Sequence, residues 1–109
     1  MFAALTSAHA NGPSYPSTAF VAECSTPAKV VGDNVNTCRA YIHGLINALA
    51  IWQYVSPETA IVCIPADADF GKVRDQILPQ VKKQARPDIS ASVLLTHVLS
   101  EHFSCQPKT

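Results

Sequence analysis

Four cysteines constrain the fold of this chain more than any other feature of its sequence. They are Cys24, Cys38, Cys63 and Cys105, in a chain of 109 residues. A chain of that length forms one domain with a modest hydrophobic core, so two disulfides would supply a large share of its stability. Four cysteines allow three pairings, and the predicted helices distinguish between them.

The hydrophobic pattern predicts an all-α protein, a small four-helix antiparallel bundle. The helices are expected over residues 17–25, 34–52, 70–85 and 89–103. Ser17 or Ser14 is the expected N-cap of the first helix.

The second predicted helix has the clearest apolar stripe, with hydrophobic residues three and four positions apart. The stripe comprises Val35, Cys38, Ile42, Leu45, Leu49 and Trp52. Trp52 is therefore expected in the core, with a position on a dimer face as the alternative. Gly44 costs about 1 kcal/mol relative to Ala inside a helix, so we expect another helix to approach closely there.

The third predicted helix has a start signal and an irregularity. Asp69 precedes its first apolar residue and is the expected N-cap. Pro79 lies in its interior and removes one backbone hydrogen bond, so we expect a kink at that point.

The helix map favours one disulfide pairing. Cys24 ends the first helix and Cys38 lies in the first turns of the second, so an antiparallel hairpin brings them together. Cys63 precedes the third helix and Cys105 follows the fourth, and in an antiparallel pair these ends are neighbours. In the chain-entropy model the two bridges add about 3 and about 4 kcal/mol, respectively.

Composition and spacing argue against several classes of function. Eight basic residues balance eight acidic ones, so the chain lacks an electrostatic field strong enough to attract nucleic acid or anionic lipid. No apolar run is long enough for a membrane span.

His97 and His102 stand more than about 100° apart around a helix, and no close cysteine pair exists, so we expect neither a metal nor another cofactor. No histidine and acidic or amide group are spaced to activate Cys63 as a nucleophile.

The first residues indicate export. Ala8-His9-Ala10 has the form of a leader-peptidase site, so we interpret residues 1–10 as the remnant of a signal peptide. Residues 11–16 are then expected to be a flexible terminus, 17–105 a single domain and 106–109 a tail. Paired cysteines agree with an oxidising compartment.

Three motifs in this order carry a family resemblance. They are CRAYIHG at 38–44, VCIP at 62–65 and HVLSEHFSC at 97–105. Together with a cysteine at the end of the first helix, they resemble the Rap/Tai-type immunity proteins of bacterial type VI secretion. The chain departs from the family pattern at Val62, where an aromatic is usual, and at Ser104, where proline is usual. Pro79 also interrupts a helix that the family usually keeps unbroken.

The resemblance implies a periplasmic, non-catalytic protein that blocks the active site of a peptidoglycan amidase. Such a protein protects its producer from self or sibling intoxication, and its relatives are commonly homodimers. By resemblance, the connection between the last two helices, residues 82–90, reaches the enzyme. The candidate contacts are Gln84, Arg86, Pro87 and Asp88. A charged connection stiffened by proline loses little entropy on binding, although Asp88 could instead simply cap the fourth helix.

Two other functions stay open at this point. A periplasmic carrier or chaperone would bind an apolar ligand or client, and it predicts an apolar pocket inside the monomer. A thiol enzyme predicts at least one free cysteine of low pKa.

Overall fold

The computed structural model describes residues 15–25 and 37–105, and the predicted all-α class is confirmed over those ranges. The helices there are α1 (Ser17–Ser25), α2 (Thr37–Val55), α3 (Phe70–Gln84) and α4 (Ala91–His102). Outside the described residues lie the predicted leader remnant, residues 11–14, the first three residues predicted for α2 and the tail at 106–109.

Both predicted disulfides are present. Cys24 and Cys38 join the end of α1 to the start of α2, with their Cα atoms 4.8 Å apart. Cys63 and Cys105 join the segment before α3 to the segment after α4, with a Cα separation of 4.9 Å. Each bridge therefore closes one end of an antiparallel helix pair, and none of the four cysteines is free.

All four helices contribute to one hydrophobic core. From α3 and α4 the core receives Val73, Ile77, Val81, Leu95, Val98 and Leu99, while Phe70 and Phe103 are partly buried against it. From α1 and α2 the core receives Phe20, Cys38, Ile42, Ile46 and Leu49. A fully buried aliphatic or aromatic side chain contributes about 1.5–3 kcal/mol through removal from water, so this cluster is the main source of non-covalent stability.

Two side-chain caps fix the beginnings of α3 and α4. The Asp69 carboxylate accepts hydrogen bonds from the backbone N–H groups of Gly71 at 2.8 Å and Lys72 at 3.2 Å, as predicted. Ser90 caps α4 by accepting from the Val93 N–H at 3.2 Å. The alternative role of Asp88 as the cap of α4 is therefore wrong. Helix α3 continues through Pro79 to Gln84.

Two expectations for α2 are wrong. Trp52 is 37% exposed, and its indole N–H donates to the Thr59 hydroxyl at 3.0 Å instead of entering the core. Trp52 is exposed because α2 extends to Val55, so that its last turn lies beyond the hydrophobic core. A Cβ atom at Gly44 would meet nothing within 4 Å, because this residue lies on an exposed face of α2 rather than at a helix crossing.

The segment before α3 lies alongside the segment after α4. Val62 and Ser104 form an isolated antiparallel bridge, and the Cys63 N–H donates to the Phe103 carbonyl at 2.8 Å. Two of the three positions at which the chain departs from the family pattern, Val62 and Ser104, thus face each other beside the second disulfide.

The described helices do not include a membrane span. Within residues 15–25 and 37–105, none of them combines the length and the apolar character needed to cross a bilayer.

Candidate partner-binding surface

The connection between α3 and α4 brings together the four residues that the sequence singles out. Gln84 is the last residue of α3 and is half-buried, whereas Arg86, Pro87 and Asp88 are exposed. The Ile89 N–H donates to the Arg86 carbonyl at 3.2 Å and closes a four-residue turn. Proline in the second position presets the backbone of such a turn, so the connection is short and conformationally restricted.

Arg86 and Asp88 form an ion pair with two hydrogen bonds on this turn. Arg86 Nε donates to Asp88 Oδ1 at 3.1 Å, and Nη2 donates to Oδ2 at 2.9 Å. Both side chains are 64% exposed, so water screens the attraction and the pair adds little to stability. The two-point geometry does fix the orientation of both charged groups.

The residues around the start of α1 form backbone hydrogen bonds with the connection between α3 and α4. The Ser17 N–H donates to the Ile89 carbonyl, and the Ala91 N–H donates to the Tyr15 carbonyl, each at 2.7 Å. Pro16 and Ser90 form an isolated antiparallel bridge between these bonds. Tyr15 and Pro16, which the sequence places in a flexible terminus, are therefore tied to the connection.

The Ser17 hydroxyl adds two hydrogen bonds to the same connection. The hydroxyl oxygen accepts from the Arg86 N–H at 2.9 Å, and the O–H group donates to the Arg86 carbonyl at 2.8 Å. Ser17 is 0% exposed. The carbonyl of Pro16, not the hydroxyl of Ser17, takes the first helical hydrogen bond from Phe20, at 3.0 Å. Sequence reasoning assigned Ser17 to capping because a serine at a helix start is usually a cap, and it missed the contact with Arg86.

An aromatic cluster adjoins this anchor. Tyr15 packs edge-on against Tyr41 and Phe20, with ring centroids 5.2 and 6.2 Å apart. Its hydroxyl is buried and has no hydrogen-bond partner among the described residues. Burial raises the pKa of Tyr15, and the nearby Glu23 and Tyr41 raise it further.

The two histidines near the end of α4 contact different side chains. His97 Nε2 lies 3.4 Å from Glu101 Oε2, while His102 Nδ1 lies 3.2 Å from the amide nitrogen of Gln76. Among residues 15–25 and 37–105, no three histidine, cysteine or carboxylate side chains cluster in a way that could hold a metal.

The remaining surface offers shallow depressions. One is lined by Ile61, Ser92, Val93, Thr96, His97 and Ser100. Another lies beside Ala40, Tyr41, Gly44 and Leu45. Both are open to solvent, while the centre of the bundle is filled by the core side chains. The turn between α3 and α4, in contrast, is exposed and presents charged donor and acceptor groups that hydrogen bonds orient.

Comparison with known proteins identifies one family. A family model described as "Rap1a immunity proteins" matches residues 17–105, from the first residue of α1 to the last cysteine. Searches of curated proteins and of solved structures found no match.

Proposed function

The chain belongs to the Rap1a immunity protein family, and from this membership we propose that it inhibits a type VI secreted peptidoglycan amidase. In this proposal it binds the enzyme, blocks its active site and protects the cell from its own or a sibling's toxin. It acts by binding alone and performs no catalysis.

The observation that carries the proposal is the preformed turn between α3 and α4. An inhibitor that enters a cleft must order the segment that enters, and this ordering costs about 0.5–1.5 kcal/mol for each flexible side chain. Here Pro87 restricts the backbone, and the pair of Arg86 and Asp88 already orients the side chains. We propose that these residues, with Gln84, contact the enzyme.

The proposed compartment is the periplasm, where peptidoglycan is accessible. Disulfides form and persist in that compartment and are rare in the cytosol. All four cysteines of this chain are paired, which supports an exported protein.

The proposal includes a homodimer, as the family resemblance implies. Exposed apolar side chains cluster at the end of α2, where Ile51, Tyr54 and Val55 all face solvent. A contiguous apolar patch of this kind is typical of an interaction surface and supports this part of the proposal.

Two competing functions lack comparable support. A thiol enzyme needs a free cysteine, and all four are in disulfides. A carrier needs an apolar pocket inside the monomer, whereas buried side chains from all four helices fill the bundle centre.

A co-expression experiment tests the function. Residues 11–109 are placed behind a Sec signal peptide and expressed with each of a panel of periplasm-directed type VI amidases of the NlpC/P60 type. We expect protection from lysis by at least one amidase, and loss of protection when the same chain lacks the signal peptide. Lysis with every amidase, despite periplasmic accumulation of the folded protein, would show that the proposed target class is wrong.

A further inference from the structure

We infer that Ser17 is a positioning residue for the partner-binding turn, and that its buried hydroxyl holds the backbone of Arg86 in the conformation that the enzyme recognises. This inference rests on the proposed function and names a residue outside the segment that touches the enzyme. Ser17 and Arg86 are 69 positions apart in the sequence.

The contact uses both polar groups of the Arg86 backbone, its N–H and its carbonyl. The hydroxyl accepts from the Arg86 N–H and donates to the Arg86 carbonyl, at 2.9 and 2.8 Å. A hydroxyl can serve as donor and acceptor at once, and alanine can do neither. Removing the hydroxyl leaves the Arg86 N–H and carbonyl without this partner, and only the bond from the Ile89 N–H still holds the carbonyl.

The position of Ser17 is itself fixed by α1. Phe20, one turn further along, is fully buried in the core. Cys24, near the other end of the helix, is bonded to Cys38 of α2. Helix α1 is therefore fixed both to the core and to α2, and it holds the Ser17 hydroxyl in place beside the Arg86 backbone.

Alternative roles for Ser17 do not account for its contacts. A capping serine accepts from an N–H in the first turn of its own helix. The hydrogen bonds of the Ser17 hydroxyl go instead to a residue beyond α3, and the Pro16 carbonyl accepts the bond from Phe20. The side chain is also too buried to meet the enzyme directly.

The first measurement is amide hydrogen exchange by NMR on the free protein. In Ser17→Ala we expect the Arg86 amide to exchange at least about tenfold faster, equivalent to about 1.4 kcal/mol, while core amides such as Leu95 change much less. Ser25→Ala is the matched control, since it removes a hydroxyl bond to Val21 on the same helix, away from the turn. An unchanged Arg86 amide in Ser17→Ala would overturn the inference.

The second measurement is inhibition of the amidase against which the wild-type chain protects. We expect Ser17→Ala to weaken binding by about tenfold, mainly through faster dissociation, and Ser25→Ala to bind like wild type. Asp69→Ala, which removes the cap at the opposite end of α3, controls for a general loss of stability. Wild-type affinity in Ser17→Ala would overturn the inference alone, whereas failure of the wild-type chain to bind any amidase would overturn the proposed function.

Discussion

Arg86 and Asp88 face each other across a single proline, and their two hydrogen bonds, of 3.1 and 2.9 Å, orient both charges on an exposed turn. The backbone of Arg86 is bonded on its other side to the buried hydroxyl of Ser17. The turn therefore combines a solvent-facing charged surface with an anchor in the body of the protein. The charged groups lie outside the hydrophobic core, so they can be altered with little effect on its packing.

Truncating either member of this pair should affect partner binding far more than folding. Arg86→Ala and Asp88→Ala each remove an exposed ion pair, which is worth at most about 1 kcal/mol to folding. In the complex the partner would bury the remaining charge unpaired, so we expect binding to weaken at least about thirtyfold, or about 2 kcal/mol. Urea denaturation measures the effect on folding, and titration calorimetry with an amidase that the wild-type chain inhibits measures the effect on binding.

A second arginine–aspartate pair provides the control for that experiment. Arg74 and Asp75 lie 3.3 Å apart near the start of α3. Asp75 is about 14 Å along the helix axis from Gln84, where α3 ends and the turn begins. Asp75→Ala should leave both stability and binding close to wild type. An equal loss of binding in Asp75→Ala and Asp88→Ala would show that net charge, rather than the turn, determines affinity.

The two disulfides should make unequal contributions to stability. They close segments with sequence separations of 14 and 42 residues. In the chain-entropy model, the double alanine variant at Cys24 and Cys38 loses about 3 kcal/mol, and the one at Cys63 and Cys105 loses about 4 kcal/mol. Urea denaturation followed by circular dichroism measures both losses. A larger loss for the first pair would mean that packing around Cys38, rather than loop closure, dominates.

The sequence could predict the helices and the disulfide pairing because their signals are local. Asp69 before an apolar-periodic segment indicates a helix start, and it does cap α3. The cysteines lie at helix ends, so short links and antiparallel packing determine which ones meet. The four candidate contacts, in contrast, come from the family resemblance and not from these local signals.

The contact between Ser17 and Arg86 could not be predicted in this way. Ser17 has the same local signal whether it caps α1 or bonds to Arg86, and only the packed structure distinguishes the two. Trp52 continues the helical pattern of α2, but periodicity does not reveal where the core ends. The last turn of α2 therefore lies beyond the buried part of its stripe.

Gly44→Ala should stabilise the protein. Nothing lies within 4 Å of the Cβ that alanine would add, so the substitution gains helix propensity, about 0.8–1.0 kcal/mol, without a clash. Gly71→Ala is the contrasting variant, because its Cβ would lie 3.1 Å from the Asp69 carboxylate that caps α3. We expect a higher midpoint of thermal unfolding for Gly44→Ala only. A lower midpoint for Gly44→Ala would indicate that another segment or a second copy packs against this face.

Stability should decrease at alkaline pH through Tyr15. Burial of its hydroxyl, with Glu23 and Tyr41 nearby, raises its pKa above the usual value of 10.0. Above pH 10 the unfolded chain loses this proton first, so the native state binds more protons and unfolding becomes easier as pH rises toward the native pKa. Tyr15→Phe should reduce this slope in urea denaturation at pH 9 to 11, whereas Tyr54→Phe, at an 88% exposed residue, should retain it. Equal slopes in wild type and Tyr15→Phe would show that the alkaline loss comes from other groups.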